Sequence, residues 1–280
     1  MIGIDYSSLE LNNTDKYKLS SIITGDNLLF AITRLSDGKI IKIKELSRLK
    51  ENFFLDSEYI LKLFKNNNLL SDNFIEASIA FAANEVSIVP RVLLSKEIKN
   101  YNSLLQSVPQ YLDDFEIQKS YIQNIDSYSF FPFPKALDNL LKSNYRKFSI
   151  HHSNDALICQ AAKSITSKDF ILANFHEYSL QTIVYREKKL VQSNIYSINT
   201  KEDILYYILL NLKNNAIPLN MADVFLSGRV YKESSIHKLL YEHIKNIYFV
   251  NDLNRLDFAN VFLGKAKHLF FDIYSLAKCV

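Results

Sequence analysis

Short runs of alternating apolar and polar residues open the chain and predict strands. Lys18 to Thr24 leads into a Gly25-Asp26-Asn27 turn, Leu28 to Leu35 runs back, and Ser36-Asp37-Gly38 turns again into Ile40–Ile43. Glycine and Asx residues between alternating runs predict hairpins, so this stretch reads as a three-stranded meander. The period then changes. Ile60, Leu63 and Phe64 stand at the i, i+3, i+4 spacing of one buried face, which predicts a helix over 57–67.

The same order returns in the second half. Phe170–Phe175, Ser179–Tyr185 and Leu190–Ile198 form a second meander, with turns at His176-Glu177 and Arg186-Glu187-Lys188. A helix follows from about Thr200, where Ile204, Ile208 and Leu212 stack at i, i+4. The Asp37 and Glu187 turns lie 150 positions apart, a repetition of order without repetition of residues. Each half then alternates strands and helices. The first has Phe74–Phe81, Val86–Val89, a helical stretch from about Ser95, a strand near Tyr128–Phe131 and a helix from Pro134. The second has Val224–Ser227, a helix from Ser235 and Ile247–Val250. A meander followed by alternating elements predicts a mixed sheet with helices packed on it. The expected division is a lobe over 1–145 and a lobe over 146–280, joined by Arg146–Ile165, with an irregular insertion near 100–126.

The aromatic stretch Tyr128-Ser-Phe-Phe-Pro-Phe-Pro134 has two readings. One is a docking surface for a partner. The other, preferred, is a buried edge strand that Pro132 and Pro134 end before the next helix begins.

Tandem strand-strand-strand-helix-strand-helix units resemble the actin-like ATPase superfamily, whose lobes have the ribonuclease-H-like fold. The texture of Phe133-Pro134-Lys135-Ala136-Leu137, His151-His152-Ser153 and Val224-Phe225-Leu226-Ser227-Gly228 is similar to the bacterial family called domain of unknown function 3822. The resemblance implies an α/β protein with two ribonuclease-H-like lobes and mixed sheets flanked by helices. Genes of that family beside a ribosomal-RNA methyltransferase make such an enzyme a partner to consider. In active members of the superfamily each first hairpin carries a D-x-G phosphate loop. Its carboxylate holds the Mg²⁺-bound water and its glycine lets backbone N–H groups approach the phosphates. Here the corresponding residues are Ile23-Thr24-Gly25 and Asn174-Phe175-His176, without either carboxylate. The superfamily's adenosine site, a strand ending in glycines before a helix, falls on Ser227, Gly228 and Arg229. Gly3-Ile4-Asp5-Tyr6-Ser7 also imitates a phosphate-loop opening, with Asp5 as its acid; the plainer reading is a segment leading into the first hairpin.

Composition narrows the function classes. Thirty-three basic and 30 acidic residues in 280 give a net charge of +3, too little for a phosphate-tracking surface. Lys39, Lys42 and Lys44 alternate on a strand, the ordinary defence of a sheet edge. The two cysteines, Cys159 and Cys279, exclude a CxxC cage, and Cys159 within a predicted helix reads as a packed thiol. His151 and His152 are adjacent on a strand, so they point to opposite faces and do not chelate one ion. No signal segment or membrane-spanning run is seen, which leads to the expectation of a soluble, cytoplasmic protein. A ribonuclease-H nuclease needs acids on the central strands, and Leu19–Thr24 and Phe170–Ala173 have none.

Two readings remain. The preferred one is a non-catalytic scaffold that binds another protein, with no catalytic residue, metal or cofactor. The alternative is a nucleotide-binding protein with weak ATPase or kinase-like activity, using Ser227, Gly228, Arg229 and Asp5 around ATP and Mg²⁺.

Overall fold

The computed structural model describes residues 5–7, 16–25, 27–47, 49–50, 52–69, 74–94, 112–250, 258 and 266–279. Chain contacts gather these into two compact units. The first comprises Met1–Ala156, with Asp257–Leu263 and Leu276–Val280 returning to it; the second comprises Leu157–Leu256 and Gly264–Ser275. The division falls inside the Arg146–Ile165 segment expected to join the lobes.

The first unit is built on the predicted meander. Strands β2 (Tyr17–Ile23), β3 (Leu28–Arg34) and β4 (Ile40–Leu46) are antiparallel, with β1 (Asp5–Ser7) added outside β4. Strands β5 (Glu76–Phe81) and β9 (Phe148–His152) extend the other side in parallel, giving the order β1-β4-β3-β2-β5-β9. Helix α1 (Ser57–Asn66) starts at Asp56, whose carboxylate accepts the Tyr59 N–H at 3.0 Å. It lays Ile60, Leu63 and Phe64 against Leu19, Ile23, Phe30 and Ile79 of the sheet. At the other end of the chain, the Lys278 ammonium donates to Gly38 O and Phe258 bridges to Ile40.

A smaller sheet of β6 (Ser87–Pro90), β8 (Ser127–Pro134) and β7 (Phe115–Ile122) follows, before α2 (Lys135–Asn144) and α3 (Ser153–Ser164). Two expectations change here. Within the 100–126 stretch, residues 115–122 form a regular strand. Phe115, Ile117 and Tyr121 alternate, but on the half-buried to exposed face; the inward positions Glu116, Gln118 and Ser120, with Ile122, are largely polar, so the pattern does not mark a buried strand face. Strand β8 is the middle strand of its sheet, not an edge, over Ser127–Phe130; beyond Phe130, among the described residues, only β7 flanks it. Pro132 and Pro134 lie in that one-sided part, where a missing N–H interrupts no second ladder. Phe130, Phe131 and Phe133 are fully buried, so these rings are core and not a docking surface. The helix expected from Ser95 lies outside the described residues, as do 100–111 of the insertion.

The second unit repeats the plan. Strands β10 (Phe170–Phe175), β11 (Ser179–Arg186) and β12 (Lys189–Ser197) form the meander, and β13 (Asp223–Gly228) and β14 (Asn246–Phe249) run parallel to β10. The order β12-β11-β10-β13-β14 matches the first unit without its β1. Helix α4 (Lys201–Asn214) opens with a capping box between Thr200 and Asp203, and α5 (Ser235–His243) is capped by Ser234. Both pack on Ile171, Ala173, Val184, Val224 and Leu226. Helix α6 (Phe271–Cys279) closes the described chain. Among the described residues, no helix is long and apolar enough to cross a membrane.

Candidate functional site

In a meander-first fold of this kind, ligands gather at the carboxyl ends of the parallel strands. In the second unit, those ends bring the predicted residues together. Ser227, the penultimate residue of β13, lies directly opposite Asn174 of β10, and Gly228, which closes the strand, lies opposite Phe175. The Ser227 hydroxyl donates to Asn174 Oδ1 at 2.9 Å, and Asn174 Nδ2 donates to Gln181 Oε1 at 2.8 Å. His176 Nε2 sits 2.9 Å from Gln181 Oε1 and 3.1 Å from Asn174 Nδ2, with Asp272 Oδ2 at 3.9 Å. Asn174, Gln181 and Ser227 are buried, so these side chains bond to one another away from water.

Gly228 has φ +76°, and a Cβ placed on it would meet Phe175 O at 2.3 Å and Phe175 N at 2.7 Å. Only glycine allows β13 and β10 to approach so closely with that backbone angle. The next residue tightens the junction. Arg229 N–H donates to Phe175 O at 2.8 Å, and its guanidinium pairs with Glu177 Oε2 at 3.0 Å. Ser227, Gly228 and Arg229 therefore converge on the β10–β11 turn, each against a group of that turn or of the strand entering it.

The corresponding turn of the first unit is plainer. Thr24 N–H donates to Asn27 O at 3.0 Å, and Asn52 N–H donates to Gly25 O at 3.1 Å. A Cβ on Gly25 would meet nothing within 4 Å. Asp26 lies outside the described residues. Asp5 is placed elsewhere: it pairs with Lys44 on β4, Lys44 pairs with Phe30 on β3, and Phe30 pairs with Ser21 on β2. Three strand spacings, about 14 Å, separate its backbone from β2.

A second polar cluster lies at the β9–α3 junction, where the sequence reading weighed His151 and His152 only as metal ligands. His152 is the N-cap residue of α3. Its Nδ1 accepts the Asn154 N–H at 3.2 Å, which makes Nε2 the protonated nitrogen that donates to Ala83 O at 2.9 Å. Asp155 reaches back to accept the His152 N–H at 3.0 Å and the Ser129 hydroxyl at 2.7 Å. On the opposite face, His151 Nδ1 lies 2.9 Å from Ser120 Oγ. Burial holds both imidazoles at about 4 and pushes Asp155 up to about 7. The two rings diverge as alternation requires. Among the described residues, no group of three or more histidine, cysteine, aspartate or glutamate side chains is placed to hold a metal ion. Besides the two histidines, the hints in the sequence are Asp155 three residues after His152 and serines at inward positions of β7 and β8, which alternation alone does not mark as a site.

Comparisons with known proteins agree with this architecture. A family model described as protein of unknown function, domain of unknown function 3822, matches residues 6–247. No curated protein matches the sequence. Among solved structures, the chain is similar to a Bacteroides thetaiotaomicron protein with an actin-like ATPase fold and unknown function. Identity is 15%, the TM-score is 0.77, and the match covers 98% of this chain and 100% of that one. It is also similar to a chain of the PilM-PilN type IV pilus biogenesis complex, at 11% identity and TM-score 0.59 over 93% and 97% of the two chains. Ethanolamine utilization protein EutJ from Carboxydothermus hydrogenoformans matches at 9% identity and TM-score 0.50 over 94% and 90%. At these identities the likeness shows the fold.

Proposed function

We infer that this chain, which belongs to the domain of unknown function 3822 family and has the actin-like ATPase fold, is a non-catalytic scaffold that binds another protein. One observation carries the reading: where the fold's second phosphate loop would stand, the polar side chains are engaged with one another. Asn174, Gln181, His176 and Ser227 are hydrogen-bonded among themselves, and the Gly228 backbone lies against Phe175. A phosphate cradle needs backbone N–H groups that converge on open space. His176 N–H is instead bonded across its own turn to Ser179 O. Neither β2 nor β10 supplies a carboxylate for a metal-bound water, so the residues fit a Mg²⁺–nucleotide poorly.

A protein partner suits a fold whose neighbours include a chain of the PilM-PilN complex. Nothing in the structure or in these relatives bears on the ribosomal-RNA methyltransferase, and it is not carried forward. The alternative, a nucleotide-binding protein with weak ATPase or kinase-like activity, draws support from the convergence of Ser227, Gly228 and Arg229 at a strand end. Gentle affinity purification followed by an ATPase assay separates the two. The scaffold reading expects a protein retained in fixed ratio and no Mg-ATP turnover above buffer. A chain that purifies alone and hydrolyses Mg-ATP would overturn it in favour of the alternative.

A further inference from the structure

Helix α4 carries two apolar stripes. Ile204, Ile208 and Leu212 are buried against the sheet, together with Asn211. On the far side Glu202, Tyr206, Leu209, Leu210 and Lys213 recur at i, i+4, i+7, i+8 and i+11, which places them on one outward face. Tyr206 is 59% exposed, and Leu209 and Leu210 are half-buried. A helix with one face on a sheet ordinarily turns polar and charged residues outward. Here the middle of the outward face is tyrosine and leucine, and its two charges stand at the ends.

We propose that this face of α4 docks on α4 of a second copy, antiparallel about a two-fold axis at the level of Tyr207 and Ile208. The occupant follows from the order of the charges. An antiparallel copy sets Glu202 beside Lys213 at both ends of the contact, whereas a parallel copy in register would oppose like charges. Tyr206 comes level with Leu209 of the second copy, so the apolar middle meets itself. A two-fold axis makes the contact isologous and closes it at two copies.

The groups that docking needs are available. Helix α4 runs 14 residues without a break, so the contact draws on side chains and on no backbone group. Among the described residues, the Lys213 ammonium makes no ion pair, and Glu202 pairs only with its neighbour Lys201 at 3.8 Å, both side chains largely in solvent. Tyr206 is braced beforehand: its ring meets Tyr207 edge-on at 5.2 Å, and Tyr207 stacks on Tyr196 at 4.0 Å. Ordering cost on association is correspondingly small, and tyrosines of this kind are common interface anchors. Helix α5 packs beside α4 and widens the face with exposed Lys238, Tyr241 and Glu242. Helices of about 21 and 14 Å lying roughly 10 Å apart make a small contact, of the weak and reversible class. Self-association through α4 is independent of the scaffold reading.

Exchange of the two charges tests the register. Sedimentation at low salt from about 5 to 500 µM covers the dissociation constants of weak contacts, and the wild type should dimerise within it. Glu202→Lys and Lys213→Glu each turn both end pairs into like charges, so each should raise the dissociation constant about fivefold or more. In E202K/K213E the pairs return with their signs exchanged, and the dissociation constant should come back to within about twofold of the wild type. A wild type that stays monomeric throughout, or a double variant no tighter than the single ones, would overturn the proposal. Should a charge variant fail to fold, two truncations decide. Tyr206→Ala and Leu210→Ala remove outward side chains only, and each should weaken the dimer about tenfold. Unchanged dimerisation in both would reject the α4 contact.

Discussion

A Cβ built on Gly228 would lie 2.3 Å from Phe175 O, whereas one built on Gly25 would touch nothing. Glycine is therefore a packing requirement at the end of β13 and an option in the β2–β3 turn. Gly228→Ala combines a left-handed backbone with overpacking and should destabilise by roughly 2–6 kcal/mol. Gly25→Ala should stay within about 0.5 kcal/mol of the wild type. Denaturant unfolding of the two variants checks both, and equal effects would contradict the packing account. It follows that loss of nucleotide binding in a Gly228 variant would say little about a site, because the strand junction itself is disturbed. Ser227→Ala and Arg229→Ala are the more informative probes of that position.

Titration at the β9–α3 junction makes a second prediction at this scale. His151 and His152 ordinarily titrate at 6.5 and are held at about 4 by burial. Between those values the unfolded chain binds protons that the folded chain refuses, so stability falls as pH drops from 6.5 to 4. Asp155 acts in the other direction. It ordinarily titrates at 3.8 and is pushed up to about 7, so the folded chain keeps a proton that the unfolded chain has released, and stability falls as pH rises through that window. Two histidines against one aspartate leave a net rise with pH of roughly 1 kcal/mol per unit between 4 and 6.5, then a fall towards 7. Stability should peak near pH 6.5. Asp155→Asn should double the acid slope and abolish the fall above 6.5, as read from unfolding midpoints across pH.

At the scale of elements, legibility followed the chemistry of each turn and face. Both meanders were readable because apolar residues alternate and turn residues break them. The Glu187-Lys188 turn has positive φ at both residues without glycine or asparagine, so it was visible only through its place in the repeated order. Strand β7 was missed because polar residues occupy most of its inward positions. The Asp155 network was missed for a related reason: only its His152–Asp155 bond is local, and the Ser129–Asp155 and Ser120–His151 bonds span 26 and 31 residues, which no local spacing encodes. Helix α4 shows the opposite case. Its Thr200 and Asp203 cap is written in adjacent residues, and both bonds are made, Asp203 N–H to Thr200 Oγ1 at 3.2 Å and Thr200 N–H to Asp203 Oδ2 at 2.8 Å. Thr200→Ala should cost about 1 kcal/mol in unfolding free energy, and a loss below about 0.3 kcal/mol would show that packing alone holds the helix start.

At the scale of the whole molecule, repeated element order carried the fold without any sharp motif. Two sheets with matching order, each a meander extended by parallel strands, are what that repetition predicted. Chemistry was less visible, because the superfamily's phosphate loops are recognised by carboxylates and glycines, and in the corresponding positions this chain has isoleucine and asparagine for the acids and histidine for the second glycine. A side-chain network fills the second loop position, and only the three-dimensional arrangement reveals it. The scaffold proposal is thus a physical one: it holds that the fold is kept and its nucleotide chemistry is not. Thermal unfolding with and without 1 mM Mg-ATP or Mg-ADP tests it most directly. A ligand at about 100 times its dissociation constant would add about 2.7 kcal/mol and raise the midpoint by roughly 5–10 °C. The scaffold account predicts an unchanged midpoint with both nucleotides. A rise of several degrees would contradict it and return attention to Ser227, Gly228 and Arg229 as a nucleotide site.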